Sequence, residues 1–425
     1  MAGAAFAAFF LVATAAQAAA PNRQPIPLPS QPAAPAPTGP DLAFHQGEFD
    51  QAKAGYAAVP KSSPHYADAQ RGLGEIALFE NRLGEADVLL ANAHKLNPAD
   101  LHTVGLMAQS MEREGRYADM VQLLRQVGRP ERAVEFEMFS KVTPYRIPAH
   151  QATATIPMEW TDPLPVVKAK VNDFEGLFLI DTGAPEIILD PDFARFAHVQ
   201  TSNDQTKGAA PGARTSPINF GRIAKFTLPG VETDDIPAML LSTRGFTASA
   251  RNKRVAGIIG TEFLSHYRAT LDYPHDRLIL EPHDAPAHGG GSLAEVPFWL
   301  IGDHFIVAMG RLDQGPKQLI LADTGVGAYS FSAPQSTLRD AGIAVPSTQV
   351  PAKSPIGEPP SAKFPIAKLS FGTLTESNLE GIYGIFPPGL EDGLGVHVGG
   401  VVSHGFFHNY AVTLDFGRMT ISFRK

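Results

Sequence analysis

The chain has no cysteine and only two tryptophans among its 425 residues. Without thiols there can be no disulfide, no thiolate metal centre and no cysteine nucleophile. Charge is also scarce: 18% of the residues are Asp, Glu, Lys or Arg, and the formal net charge is −8. No basic run is present, so nothing points to nucleic acid. Long apolar runs are missing as well. Ala4 to Ala16 is too short for a comfortable membrane span, and no other stretch approaches the ~18 apolar residues that a span needs. What remains is ample for globular cores: 44% of the residues are hydrophobic, and the length suggests two or three domains.

The N-terminus reads as an address. The apolar and small residues Ala4 to Ala16, followed by the small-x-small pattern Ala16-Gln17-Ala18, define residues 1–20 as a secretory signal peptide, although no Lys or Arg precedes the run. The expected destination is an exported one, periplasmic or secreted, with no stable membrane span in the mature chain. Residues 21–40, rich in Pro and Ala, cannot build a core and form an extended tether.

Residues 41–140 carry a helical pattern that repeats. Pro64 and Pro98 are 98 − 64 = 34 residues apart, as are Ala52 and Ala86, Tyr56 and Leu90, and the segments Asn81-Arg82-Leu83 and Gly115-Arg116-Tyr117. Small residues at fixed places let paired helices approach, and Pro98 ends a helix. The pattern resembles two and a half to three tetratricopeptide repeats, which implies a surface for a protein partner.

Beyond Pro144 short alternating apolar runs with Gly and Pro punctuation predict strands. This region is itself doubled. Asp181-Thr182-Gly183 follows Leu177-Phe178-Leu179-Ile180, and Asp323-Thr324-Gly325 follows Leu319-Ile320-Leu321-Ala322, an offset of 323 − 181 = 142. Downstream, Gly257-Ile258-Ile259-Gly260 pairs with Gly400-Val401-Val402-Ser403, and Thr270-Leu271-Asp272-Tyr273 with Thr413-Leu414-Asp415-Phe416, each at an offset of 143. A drift of one residue over so long a span argues for two copies of one unit.

Each copy resembles a retropepsin-type lobe of the aspartic peptidase family, and together they resemble a single-chain, pepsin-like pseudodimer. The resemblance implies a multidomain fold: tetratricopeptide-like helices over 41–140, then an all-β bilobal aspartic peptidase with lobes at 150–285 and 293–425. It also implies endopeptidase activity on a polypeptide substrate, with no cofactor and no metal. Asp181 and Asp323 would be the catalytic pair. Two carboxyls sharing one proton supply both the base that activates water and the acid for the carbonyl; this dyad is a worked example in general treatments of tuned acids. Gly183 and Gly325 would permit the tight turns. Thr182 and Thr324 would inherit the family's cross-link beneath the dyad, and Ile258-Ile259-Gly260 and Val401-Val402-Ser403 would pack behind the loops. Since both acids lie beyond Pro144, the β region is expected to fold and to hold a complete site alone. A noncatalytic periplasmic adaptor on the same scaffold is the alternative reading.

Departures and side signals complete the reading. Ser403 stands where a Gly is expected. The stretches Val199 to Arg222 and Val345 to Ala362 are the flap candidates, without a pepsin-like Tyr in the first. Ala184 and Val326 follow the two glycines where pepsin-like enzymes commonly carry a hydroxyl. Neither can donate to a carboxylate from its side chain, so the dyad is expected to work at weakly acidic or neutral pH. His288-Gly289-Gly290-Gly291 lies between the copies and reads as a linker. His404 and His408 lack the Glu of a metallopeptidase motif and read as packing residues. Asp272 and Asp415 read as caps at strand ends.

Overall fold

The structure is a computed structural model. It describes residues 38–425 except 129–132, 134–135, 149–150, 203–205, 209–215, 248–249, 287–290, 328, 349–359 and 388. The leader, nearly all of the tether, positions 288–290 and the centres of both flap candidates therefore lie outside the described residues.

Six helices come first: α1 (Pro40–His45), α2 (Phe49–Ala57), α3 (Tyr66–Phe79), α4 (Leu83–Leu96), α5 (Leu101–Arg113) and α6 (Tyr117–Gln126). The 34-residue spacing is visible in the backbone. The turns before α2, α4 and α6 hold Gly47, Asn81 and Gly115, all with left-handed φ, and 81 − 47 = 115 − 81 = 34. Each such residue ends the preceding helix and lets the chain reverse. Ala52 and Ala86 are fully buried, and beside them a Cβ on Gly74 would press on Leu90. Small residues thus set how closely the helices pack. Among the described residues no helix is long and apolar enough to cross a membrane.

Two β lobes follow. The first contains β1 (Ala154–Trp160), β2 (Val166–Val171), β3 (Phe174–Ile180), β4 (Ile187–Leu189), β5 (Gln200–Thr201), β6 (Thr206–Gly208), β7 (Ser216–Leu228), β8 (Val231–Leu240), β9 (Gly257–Ile259), β10 (Arg268–Asp272) and β11 (Arg277–Glu281). The second contains β12 (Ala294–Pro297), β13 (Trp299–Ile301), β14 (Phe305–Leu312), β15 (Gln318–Ala322), β16 (Phe331–Ala333), β17 (Ala362–Phe371), β18 (Leu374–Tyr383), β19 (Val398–Val402), β20 (Ala411–Asp415) and β21 (Thr420–Arg424).

The duplication read from the motifs recurs in the strand pairings. In lobe 1, β3 runs parallel to β9, β9 antiparallel to β4, and β4 parallel to β8. In lobe 2, β15 runs parallel to β19, β19 antiparallel to β16, and β16 parallel to β18. Long hairpins, β7–β8 and β17–β18, complete each copy. The copies are joined where β10 pairs antiparallel with β20, with Thr270 opposite Thr413 and their hydroxyls 2.8 Å apart. Those two residues are equivalent in the repeat, so the contact marks the pseudo-twofold axis. Asp272 and Asp415 are both engaged at strand ends. Asp272 accepts from His275 and Arg277 (2.8 and 2.7 Å), and Asp415 caps the turn at Arg418 N–H (3.0 Å).

The helical segment differs from expectation in one respect: it shares a core with lobe 2. Phe44, Phe49, Ile76 and Phe79 pack in one cluster with Ile301, Phe305, Val307, Leu319 and Val401. Phe49 meets Trp299 edge to face, with ring centroids 5.1 Å apart. Apolar residues on both faces of β14 and β15, which read simply as buried strands, need a second cover, and the helices supply it. Arg113 of α5 seals the same seam, donating to the carbonyls of Leu78 (2.7 Å), Leu300 (3.1 Å) and Gly302 (2.8 Å). Burial pulls its pKa down to about 10.

Candidate active site

The two Asp-Thr-Gly segments emerge from the ends of β3 and β15 and face each other across the pseudo-twofold axis. Each is pinned from behind by the neighbouring strand: Asp181 N–H donates to Ile259 O and Asp323 N–H to Val402 O, both at 3.0 Å. Those strands, β9 and β19, are the expected apolar supports. Beneath the acids the threonines interlock. Thr182 Oγ1 donates to Ala322 O (3.0 Å) and accepts from Thr324 N–H (3.1 Å). Thr324 Oγ1 donates to Ile180 O (3.2 Å) and accepts from Thr182 N–H (3.1 Å). Each buried hydroxyl satisfies a donor and an acceptor of the opposite lobe, so neither loop can shift alone.

The inner oxygen of each acid accepts from the glycine two residues on, Asp181 Oδ1 from Gly183 N–H and Asp323 Oδ1 from Gly325 N–H, both at 2.8 Å. The glycines serve a different purpose from the one expected. Neither has a left-handed backbone. A Cβ on Gly183 would collide with the Asp323 carboxyl, and one on Gly325 with that of Asp181. Glycine is required here for the close approach of the two loops, since any side chain would separate the carboxyls.

Both carboxyls are buried, and their outer Oδ2 atoms have no donor among the described residues. They lie within hydrogen-bonding reach of each other. Two acceptors in contact need one proton between them. Burial raises Asp181, while contact with Asp323, the Gly183 N–H and the nearby His304 ring oppose the rise. Burial raises Asp323 as well, and the negative charge of Asp181 adds to it. The pair therefore holds one proton between its two acids.

His304 was not singled out from the sequence. It lies in the β13–β14 turn of lobe 2, is fully buried, and reaches across to the Gly183 carbonyl (3.0 Å). It occurs once and carries no motif, so only a careful alignment of the copies could have found it: 304 − 142 = 162, and Asp162 holds the equivalent turn of lobe 1. Asp162 makes the reciprocal crossing, to His404 Nε2 at 2.9 Å. His404 is thus a buried packing residue, as expected. Ser403 needs no glycine conformation: its φ of −126° and ψ of −177° resemble the −89° and 179° of Gly260. At Gly260 a Cβ would strike the Glu186 carbonyl, so only lobe 1 demands glycine there.

In lobe 1 the flap candidate contains the hairpin β6–β7, pairing Thr206 with Ile218 and Gly208 with Ser216.

Comparison with known proteins gives one family match and a structural likeness. Residues 167–263 match the aspartyl protease family model, a stretch running from β2 through the first Asp-Thr-Gly to the short helix Thr261–Ser265. Among solved structures, the chain is similar to the crystal structure of aspartic proteinase from Irpex lacteus, at 12% identity, 64% coverage of this chain, 97% of that chain and a TM-score of 0.41. No curated protein matches.

Proposed function

We propose that this chain is an aspartic endopeptidase whose catalytic pair is Asp181 and Asp323. The observation that carries the reading is the dyad: two buried carboxyls in contact, cross-braced by Thr182 and Thr324, with one proton between them. The charged member of the pair takes a proton from water as the water oxygen attacks the scissile carbonyl carbon. The protonated member gives its proton to the carbonyl oxygen. Collapse of the tetrahedral species returns a proton to the leaving amine and restores the pair. The substrate is an extended peptide bound through strand-like main-chain hydrogen bonds under the flap candidates.

The helical segment belongs to this reading as tetratricopeptide-like repeats that recruit a protein partner or substrate; the 34-residue period supports it. The chain acts after export, periplasmic or secreted, on the strength of its leader. Incubation with a diverse peptide library tests the proposal. Cleavage blocked by a statine-type transition-state mimic is expected, and no cleavage by the intact chain at any pH would defeat it.

A further inference from the structure

We infer that His304 is a positioning residue of the dyad, holding the Gly183 carbonyl from the opposite lobe and so fixing the loop that carries Asp181. The inference rests on the peptidase reading and adds to it a group that braces one acid's loop from across the site.

The hydrogen-bond inventory of the ring carries the argument. The Gly183 carbonyl can only accept, so Nε2 carries a hydrogen. Nδ1 stands 2.5 Å from a carboxylate oxygen of Asp303. The fully buried imidazole therefore has no unused edge. A polar ring is costly to bury when an apolar one would fill the space. The carbonyl it holds belongs to Gly183, the residue whose N–H donates to the inner oxygen of Asp181 (2.8 Å). Displacing Gly183 would move both that N–H and the glycine that spaces the two carboxyls. The turn itself is fixed from the helical segment, since Arg113 donates to the carbonyls of Leu300 and Gly302 on the approach to His304. The charged groups shown to interact with the ring are Asp303 on its own turn and Asp181 of the dyad; Glu112 and Arg113 of α5 and Glu186 and Glu262 of lobe 1 line one cavity with Asp303. At the position equivalent to His304, lobe 1 carries Asp162, which pairs with His404.

Two variants of the full chain separate the hydrogen bond from shape. His304→Gln keeps an amide donor for Gly183. His304→Phe keeps only volume. Each is compared with wild type by kcat and KM on a peptide substrate. In parallel, carbon NMR of protein labelled at the aspartate carboxyls titrates the dyad without any substrate. His304→Phe should lower kcat about 10- to 100-fold through misplacement, with KM little changed, and should alter the dyad titration; His304→Gln should recover most of both. A folded His304→Phe protein whose kcat and titration match wild type overturns the inference. Should wild type cut no peptide while the carboxyl titration changes as stated, the peptidase reading fails and the role of His304 stands.

Discussion

In lobe 1 the Asp-Thr-Gly loop is tied from behind by the short helix Thr261–Ser265, with Thr261 Oγ1 donating to Thr182 O (2.9 Å) and Glu262 N–H to Pro185 O (2.7 Å), and from across by His304. In lobe 2 the corresponding loop has Ser403 and His404 behind it, and His404 looks away toward Asp162. Outside the sites the lobes differ again, for helices α1 to α3 cover the outer face of lobe 2. A fold built from two copies supplies two equivalent acid loops, yet the supports around those loops differ.

The largest expected effect comes from removing either acid. Asp181→Asn and Asp323→Asn should each lower peptide hydrolysis by at least about 10³-fold, since each removes an acid–base partner. Both variants should stay folded, since burial raises both acids and an amide brings no charge into the site. Thermal melts at neutral pH check this: neither variant should melt far below wild type.

Next in size is removal of the helices. A chain begun near Tyr145 would expose Ile301, Val307 and Leu319 on lobe 2 and free the carbonyls that Arg113 holds. The loss is on the order of several kcal/mol. Size-exclusion and melting experiments should find it aggregated or noncooperative, against the independence suggested by the position of the motifs alone.

A smaller effect tests the cross-brace. Thr182→Val keeps the shape but leaves Thr324 N–H and Ala322 O unpaired, at about 1–3 kcal/mol for each buried group. Thr324→Val should cost a similar amount, and the double variant less than the sum, because both hydroxyls belong to one network. Denaturant unfolding of the three proteins measures it.

The smallest effect concerns Glu262, whose carboxyl accepts from Tyr117 Oη of α6 (3.2 Å). Burial and the neighbouring Glu112 hold its pKa well above the usual carboxylate range. A raised folded-state value means that this contribution is fully present below the unfolded pKa and is lost as pH rises through the folded one. Wild-type Tm should therefore decline as pH rises above the usual carboxylate range. Glu262→Gln should decline less over the same interval.

How much of this was legible in the sequence follows from what repeats. Asp181, Asp323, the threonines and the apolar strands behind them are written twice at offsets of 142 and 143, so pattern alone exposed them. The 34-residue helical period was legible for the same reason. His304 and Arg113 were not, because each occurs once and acts through backbone carbonyls, which leave no trace in side-chain patterns. The shared core of helices and lobe 2 was hidden too. Residues such as Leu319 and Leu321 in β15 fit a strand buried on both faces, and nothing local says what covers the second face.

The central claim is that two acids share one proton and one water, and the pH profile of kcat/KM for a peptide tests it most directly. Both folded-state values are raised, so the singly protonated pair, the working state, should persist above the usual carboxylate range. Measured between about pH 2 and about pH 9, the profile should be a bell peaking at weakly acidic to neutral pH, silenced in either Asn variant. A peak near about pH 2, or substantial turnover by purified Asp181→Asn protein, would contradict the account.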